Sequence, residues 1–334
     1  MLNVAHRLNS PQQCVVRVRH ARFLLVNADE AIIMYKAKSA RAERIYAGAF
    51  VAGRAERGSL VSYHGGHTLY DGTGRLEDFV LAAIRQGFEG FGFSEHMPAP
   101  PRYPYPDQPS WDEAVRKFDR YVSTVQELKV AYRDELPLLL GIEVEYLPDE
   151  EEYLTDFLAR YPFDYVVGSV HYVAGIGFDH CREWYDEAAQ KCGGYRNLAV
   201  SYYRNVRGLL ALGVTDVLGH LDLINIFSPA PISGDDVAEA EEATLSAALH
   251  WNVILDVNGR GLIKPCKQIY PRAELLRKAR EMGIPATFGD DSHAPDQVGA
   301  RLDEVRASMR AAGYQTVTAL LPDGHQIRRV ELPL

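Results

Sequence analysis

Cysteine is scarce in this chain, and so are long apolar runs and positive charge. The four cysteines, Cys14, Cys181, Cys192 and Cys266, form no CxxC pair among 334 residues, which excludes a disulfide framework and a thiolate zinc site. No window approaches the ~18 uninterrupted apolar residues of a membrane-spanning helix, and the N-terminus lacks the apolar core and small-residue cleavage site of a secretory signal. The expectation is a cytoplasmic protein with reduced thiols and no membrane partner. Against 45 Asp and Glu stand only 36 Lys and Arg, a formal charge of -9, which is wrong for a protein that binds by neutralising many nucleic-acid phosphates. A small anionic substrate is compatible, because one local positive site holds it. With 47% hydrophobic and 24% charged residues, the chain has an ordinary globular composition and the length of one barrel-sized domain or two smaller ones.

The charge is unevenly spread. Residues 1–58 carry ten Lys or Arg against four Asp or Glu, which leaves residues 59–334 at a net -15. This basic extension contains two strand-like patches, residues 14–18 and 23–26, and a short helix-like stretch at residues 40–47, without a repeating pattern. A domain boundary is expected at residues 58/59.

From Ser59 onward, short β-rich apolar runs alternate with longer amphipathic stretches, as in parallel βα units. Strands are expected at residues 60–63, 90–93, 138–144, 165–170, 216–218, 253–257 and 285–288. Helices are expected at 76–86, 111–132, 150–160, 197–212, 235–250, 272–282 and 302–312. Glycines 87, 213, 283 and 313 stand where left-handed caps end helices. The acidic runs at 149–152 and 239–242 read as helix first turns or exposed helix faces.

Six of the eleven histidines stand at or just past the C-terminal end of an expected strand: His64, His67, His96, His171, His220 and His293. Asp71, Glu143 and Asp291 do the same. In a β/α barrel those ends converge on one face, so residues distant in sequence become neighbours. Imidazole mixed with carboxylate, without thiolate, suits Zn, Mn or Fe better than Mg or Ca. Nine candidates exceed the needs of one tetrahedral ion, so two to three divalent ions are implied, with Glu143 placed to bridge. Closely spaced ions clamp a phosphate and lower the pKa of a bound water. The pattern therefore points to metal-assisted hydrolysis of a phosphate ester.

These residues resemble the polymerase and histidinol phosphatase (PHP) superfamily, and within it the monofunctional histidinol-phosphate phosphatases. The resemblance is carried by seven segments: Tyr63 to Gly72, Gly92 to His96, Gly141 to Tyr146, Gly168 to Tyr172, Gly219 to Asp222, Asn258 to Leu262 and Asp290 to His293. It spans about residues 60–315. It implies a distorted (β/α)7 TIM-like barrel of the PHP type with a trinuclear site. By position, one ion would take His64, His67, Glu143 and Asp291, a second Glu143, His171 and His220, and a third Asp71, His96 and His293. Arg260 matches the residue that receives the substrate phosphate, with Lys264 adding positive charge nearby. Glu143, Asp291 and His293 are the catalytic candidates.

One motif departs from the family. Its first element is His-x-His, whereas this chain reads His64, Gly65, Gly66, His67. Two glycines admit unusual backbone angles, so either a bulge turns His67 inward or the first ion is short of a ligand. The activity implied is hydrolysis of L-histidinol phosphate to L-histidinol and phosphate, with Glu95, Glu145 or Asp222 available to the amino group. The alternatives are a related esterase for another phosphate ester or nucleotide, and a degenerate barrel that binds metal without turnover. His180 and Arg182 are placed in a loop, residues 175–185, suited to cover a substrate.

Overall fold

In the computed structural model, which describes residues 13–18, 21–26 and 59–334 except 229 and 325, the chain divides between Gly58 and Ser59 into two units. The first unit contains β1 (Gln13–Val18) and β2 (Ala21–Val26), an antiparallel pair with Arg17 opposite Arg22. Both strand-like patches fall within it. The helix expected at 40–47 lies outside the described residues.

The second unit is built on seven parallel strands: β3 (Val61–Ser62), β4 (Gly90–Phe93), β5 (Leu138–Glu145), β6 (Tyr165–Ser169), β9 (Val217–Leu218), β10 (Ile254–Asn258) and β11 (Ala286–Gly289). Their spatial order is β11, β10, β9, β6, β5, β4, β3. The Tyr63 N–H donates to the Phe288 carbonyl at 3.3 Å and the Asp291 N–H to the His64 carbonyl at 2.7 Å. These bonds join the two ends of the sheet into a nearly closed barrel. Strands covered on both faces need side chains that tolerate burial throughout, which is why β5 reads Leu-Leu-Leu-Gly-Ile-Glu-Val-Glu and is buried at every position.

The returns are amphipathic helices: α1 (Leu76–Gln86), α2 (Trp111–Ala131), α3 (Glu151–Leu158), α5 (Tyr195–Ala211), α6 (Asp235–His250), α7 (Ala273–Glu281) and α8 (Leu302–Ala311). All seven were legible from apolar spacing. Glycines 87, 213, 283 and 313 take positive φ at or just past helix ends, as the cap geometry requires.

Three features differ from the expectation. After β6 the chain makes a small hairpin, β7 (Tyr172–Val173) with β8 (Ile176–Gly177), and then α4 (Arg182–Cys192), so Arg182 begins a helix instead of lying in a covering loop. Only Tyr185, Ala188 and Ala189 of α4 are buried, too thin an apolar stripe to stand out in sequence. The chain ends in an antiparallel hairpin, β12 (Thr316–Asp323) with β13 (Gln326–Pro333), which lies against the N-terminal end of the barrel and whose described residues donate no side chain to the mouth. Finally, Glu241 of α6 is buried and paired with Arg272 at 2.8 Å, not exposed with its acidic neighbours. No helix among the described residues is long and apolar enough to cross a membrane.

Candidate metal centre

The C-terminal ends of the seven strands open on one face, and all nine candidate ligands meet there. Glu143, inside β5 and 1% exposed, is the hub. Its Oε2 lies 3.2 Å from His64 Nε2, 3.0 Å from His96 Nδ1 and 3.9 Å from His67 Nε2. Its Oε1 lies 3.0 Å from His220 Nε2 and 3.6 Å from His171 Nε2. Asp291 Oδ1 stands 3.5 Å from the same His67 Nε2, and His293 Nε2 reaches Asp71 Oδ2 at 2.8 Å. Three groups have donor atoms within 4.8 Å of one another: His64 with Glu143 and His220, His64 with His67 and Asp291, and His67 with His96 and His293.

His67 reaches the cluster through the two glycines. Gly65 and Gly66 adopt φ of 155° and 80°. The consecutive N–H groups of Gly66 and His67 both donate to the Ser292 carbonyl, at 2.9 and 3.0 Å. Two residues facing one on the neighbouring segment is the signature of a bulge. The inserted residue shifts His67 by one position and returns its ring to the interior, fully buried.

Several rings are aimed by partners that the sequence argument missed. The Nδ1–H of His64 donates to Asp256 Oδ2 at 2.7 Å, and the same oxygen accepts from the His220 backbone N–H at 3.1 Å and from Asn258 Nδ2 at 3.0 Å. The Nδ1–H of His171 donates to Glu145 Oε2 at 2.6 Å. The Nδ1–H of His293 donates to the Asp291 carbonyl at 2.9 Å. Each bond holds its ring through Nδ1 and aims Nε2 away from that anchor, toward the other ligands, the usual arrangement behind a metal-bound imidazole. Asp256 was visible in principle, as the lone acid in the apolar strand Ile254 to Val257, fully buried.

The three carboxylates offered to a substrate amino group are committed elsewhere. Glu145 orients His171. Glu95 accepts from the Thr68 and Leu69 N–H groups at 2.6 and 3.0 Å. Asp222 Oδ2 accepts from Arg272 Nη1 at 3.2 Å.

Burial favours neutral imidazoles, and the carboxylates override it. Glu143 holds His96 up to about 9, and Glu145 with Asp179 holds His171 up to about 10. His64 is raised well above its ordinary value, its burial outweighed by Glu143, Asp256 and Asp291. His67, buried and facing His96 and His293, goes down to about 4. Glu143 and Asp291, though buried, are held well below the ordinary carboxylate range, both by His64, with His96 acting on Glu143 and Arg260 on Asp291. Carboxylates and imidazoles thus set one another's charge throughout the cluster.

The residues fit a metal. Buried atoms without a hydrogen-bond partner include His64 Nε2, both ring nitrogens of His67, His96 Nδ1 and Glu143 Oε2. Such orphans are costly in a protein interior, and here they face one another in the donor set that borderline divalent ions prefer.

Arg260 stands at the edge of this cluster. Its Nη1 donates to the Asp291 carbonyl and to Gln297 Oε1, both at 3.1 Å. Lys264, half-buried, makes no ion pair among the described residues, and nothing ties it to the clustered ligands. His180 is exposed beside Trp184, with ring centroids 4.8 Å apart.

A family model described as "PHP domain" matches residues 62–259. A relative from Deinococcus radiodurans named "Probable histidinol-phosphatase" is 32% identical, covering 74% of this chain and 90% of its own. The histidinol-phosphatase of Bacillus subtilis is 30% identical, covering 67% of this chain and 89% of its own. A histidinol phosphate phosphatase from Lactococcus lactis, solved with zinc, L-histidinol and phosphate, shares the fold with a TM-score of 0.59. It is 20% identical and covers 80% of this chain and 98% of that one.

Proposed function

The chain belongs to the PHP domain family, and from that premise we propose that it is a metal-dependent phosphatase that hydrolyses L-histidinol phosphate to L-histidinol and inorganic phosphate. The observation that carries the reading is the convergence of nine imidazole and carboxylate side chains, of which His64, His67, His96, Glu143 and His220 carry buried atoms without hydrogen-bond partners. Relatives named for this activity at 30% and 32% identity support the substrate.

Two to three divalent ions, drawn from Zn, Mn and Fe, would be held by His64, His67, Glu143 and Asp291, by Glu143, His171 and His220, and by Asp71, His96 and His293. When bound, they supply Lewis-acid neutralisation of the phosphoryl charge and activation of water near neutral pH. The protein's own part is positioning. Asp256 and Glu145 hold His64 and His171 through Nδ1, with Nε2 aimed toward the other ligands. Arg260, anchored on Asp291 and Gln297, offers its remaining N–H groups to phosphate oxygens, for which a planar guanidinium is well shaped. His293, whose Nε2 lies 2.8 Å from Asp71 Oδ2 at the rim, would complete the third ligand set beside Asp71 and His96. A cytoplasmic location accompanies the reading, supported by Cys181, Cys192 and Cys266, all free thiols.

The test is phosphate release from histidinol phosphate by purified protein reconstituted with Mn, Zn or Fe, beside a sugar phosphate and a nucleotide. Strong preference for histidinol phosphate, abolished by chelation, is expected. Turnover of the other esters alone would move the substrate, and metal binding without any turnover would favour a degenerate barrel.

A further inference from the structure

The cavity at the barrel mouth has a volume of about 120 Å³ and has two chemically different ends. One end is the ligand wall of Asp71, His96 and His171. The other is walled by Tyr70, Tyr105, Tyr172 and Trp184, with His180 beside Trp184, two carboxylates, Asp107 and Asp179, and no Lys or Arg. Neither carboxylate makes a hydrogen bond or ion pair among the described residues. The hydroxyls of Tyr70 and Tyr105 are buried and likewise unpartnered.

This end is built, not incidental. The Tyr105 ring lies 5.7 Å from the His96 ring, 6.0 Å from Tyr70 and 6.2 Å from Tyr172, so the aromatic wall is continuous with the metal ligands. Asp179 follows Phe178, which is fully buried and whose N–H donates to the His171 carbonyl at 3.0 Å. The backbone that carries Asp179 is therefore held beside the ligand wall, and the field of its carboxylate reaches His171. Aromatic faces and unpaired carboxylates attract a cationic ring or ammonium and repel phosphate. Arg260, on Asp291, is not among the residues that line this cavity.

We infer that Asp179, assisted by Asp107 and the tyrosine wall, is a specificity-determining residue that receives the protonated amine or imidazolium of the substrate's alcohol half. The site then selects phosphate monoesters of cationic alcohols over those of neutral ones. The ester half of this statement rests on the phosphatase reading, while recognition of the cation does not.

The experiment titrates L-histidinol into the metal-reconstituted full chain by calorimetry, for the parent and for Asp179→Asn. It also measures the ratio of kcat/KM for histidinol phosphate to that for glycerol phosphate. Losing one partner of a partly buried charge pair should weaken histidinol binding by about 10- to 100-fold and lower the selectivity ratio by a similar factor. Inorganic phosphate binding should weaken far less. Equal weakening of histidinol and phosphate, or no weakening of histidinol, overturns the inference. Should Asp179→Asn fail to fold, Asp107→Asn on its exposed loop carries the test, with a drop of about 3-fold expected and no drop overturning it. Histidinol binding that depends on Asp179, in a protein that turns over no phosphate ester, would sink the phosphatase reading and leave the cation site standing.

Discussion

The two ends of the barrel follow opposite rules. At the N-terminal floor most of what the closing hairpin covers is satisfied: the Tyr63 hydroxyl donates to the Leu320 carbonyl at 2.7 Å, the Ser59 N–H to the Pro333 carbonyl at 3.1 Å, and the Arg306 Nη2 to the Ser59 carbonyl at 2.9 Å, with Arg306 Nε and Nη1 buried and unpartnered. Val317, Ala319 and Leu320 fill the space beneath the strands. At the mouth the fold breaks local rules repeatedly. Seven imidazole or carboxylate residues there, His64, His67, His96, Glu143, His220, Asp222 and Asp256, include buried atoms with no partner, and His220, Asp222 and Asp291 take φ of 22°, 72° and 47°, values that side chains other than glycine seldom adopt. Rules broken together at one end mark where folding stability yields to chemistry.

That contrast is broken most severely at its hub. Glu143→Gln keeps the shape of the side chain and removes the charge that five histidines face. Activity should fall on the order of 10³-fold, with metal content by elemental analysis falling in parallel. A variant that retains both would remove Glu143 from the centre. Next comes the bulge. A Cβ on Gly66 would lie 2.5 Å from Phe93 Cδ1, at a φ of 80°. Gly66→Ala should cost about 1–3 kcal/mol of stability and, by displacing His67, about 10²-fold in kcat. Denaturant melts and steady-state kinetics on one preparation separate the two effects, and unchanged kinetics would mean that His67 is no ligand. Asp256→Asn leaves every candidate ligand in place but alters the acceptor of His64. A loss of about 10- to 100-fold in metal affinity is expected, and an unchanged affinity by competition with a chelating dye would contradict the orienting role.

The mouth should also reveal itself through pH. His96 and His171 have folded values of about 9 and about 10, above an ordinary imidazole. Their stabilising contribution is complete below pH ~6.5 and is lost as pH rises through 9 to 10, because the folded chain holds the protons that the unfolded chain has released. Thermal melts of chelated protein should therefore fall by a few degrees across that window. Metal-loaded protein should not show the same decline, since the ions replace those protons. A flat profile in the chelated protein would contradict the raised values.

Much of this arrangement was legible before any coordinates. The apolar runs gave seven strands, and helical spacing gave the helices between them to within about two residues at each end. The histidines at strand ends gave the site, because a parallel barrel gathers those ends whatever the loops do. What was hidden depends on contacts rather than on local pattern. Asp256 looks like an intrusion in a strand until His64 is seen beside it. Glu95, Glu145 and Asp222 read as free rim acids, and only the fold shows Thr68, His171 and Arg272 occupying them. The terminal hairpin escaped because β13 is half exposed and carries almost no burial pattern to read.

The smallest effect tests the floor. Tyr63 adjoins His64 in sequence, yet its hydroxyl serves Leu320 of the hairpin, and its ring packs edge-on to Tyr165 at 5.9 Å. Tyr63→Phe deletes one oxygen and leaves a buried carbonyl without that donor, which should cost about 1 kcal/mol and lower the melting temperature by about 2–4 °C. The strand itself is held by backbone bonds that the substitution does not touch, among them Asp291 N–H to the His64 carbonyl at 2.7 Å. His64 should stay in place, so kcat/KM and metal content should match the parent protein below the melt. If kcat/KM drops along with stability, the two ends are mechanically coupled through β3, and the division between a stabilising floor and a reactive mouth does not hold at this strand.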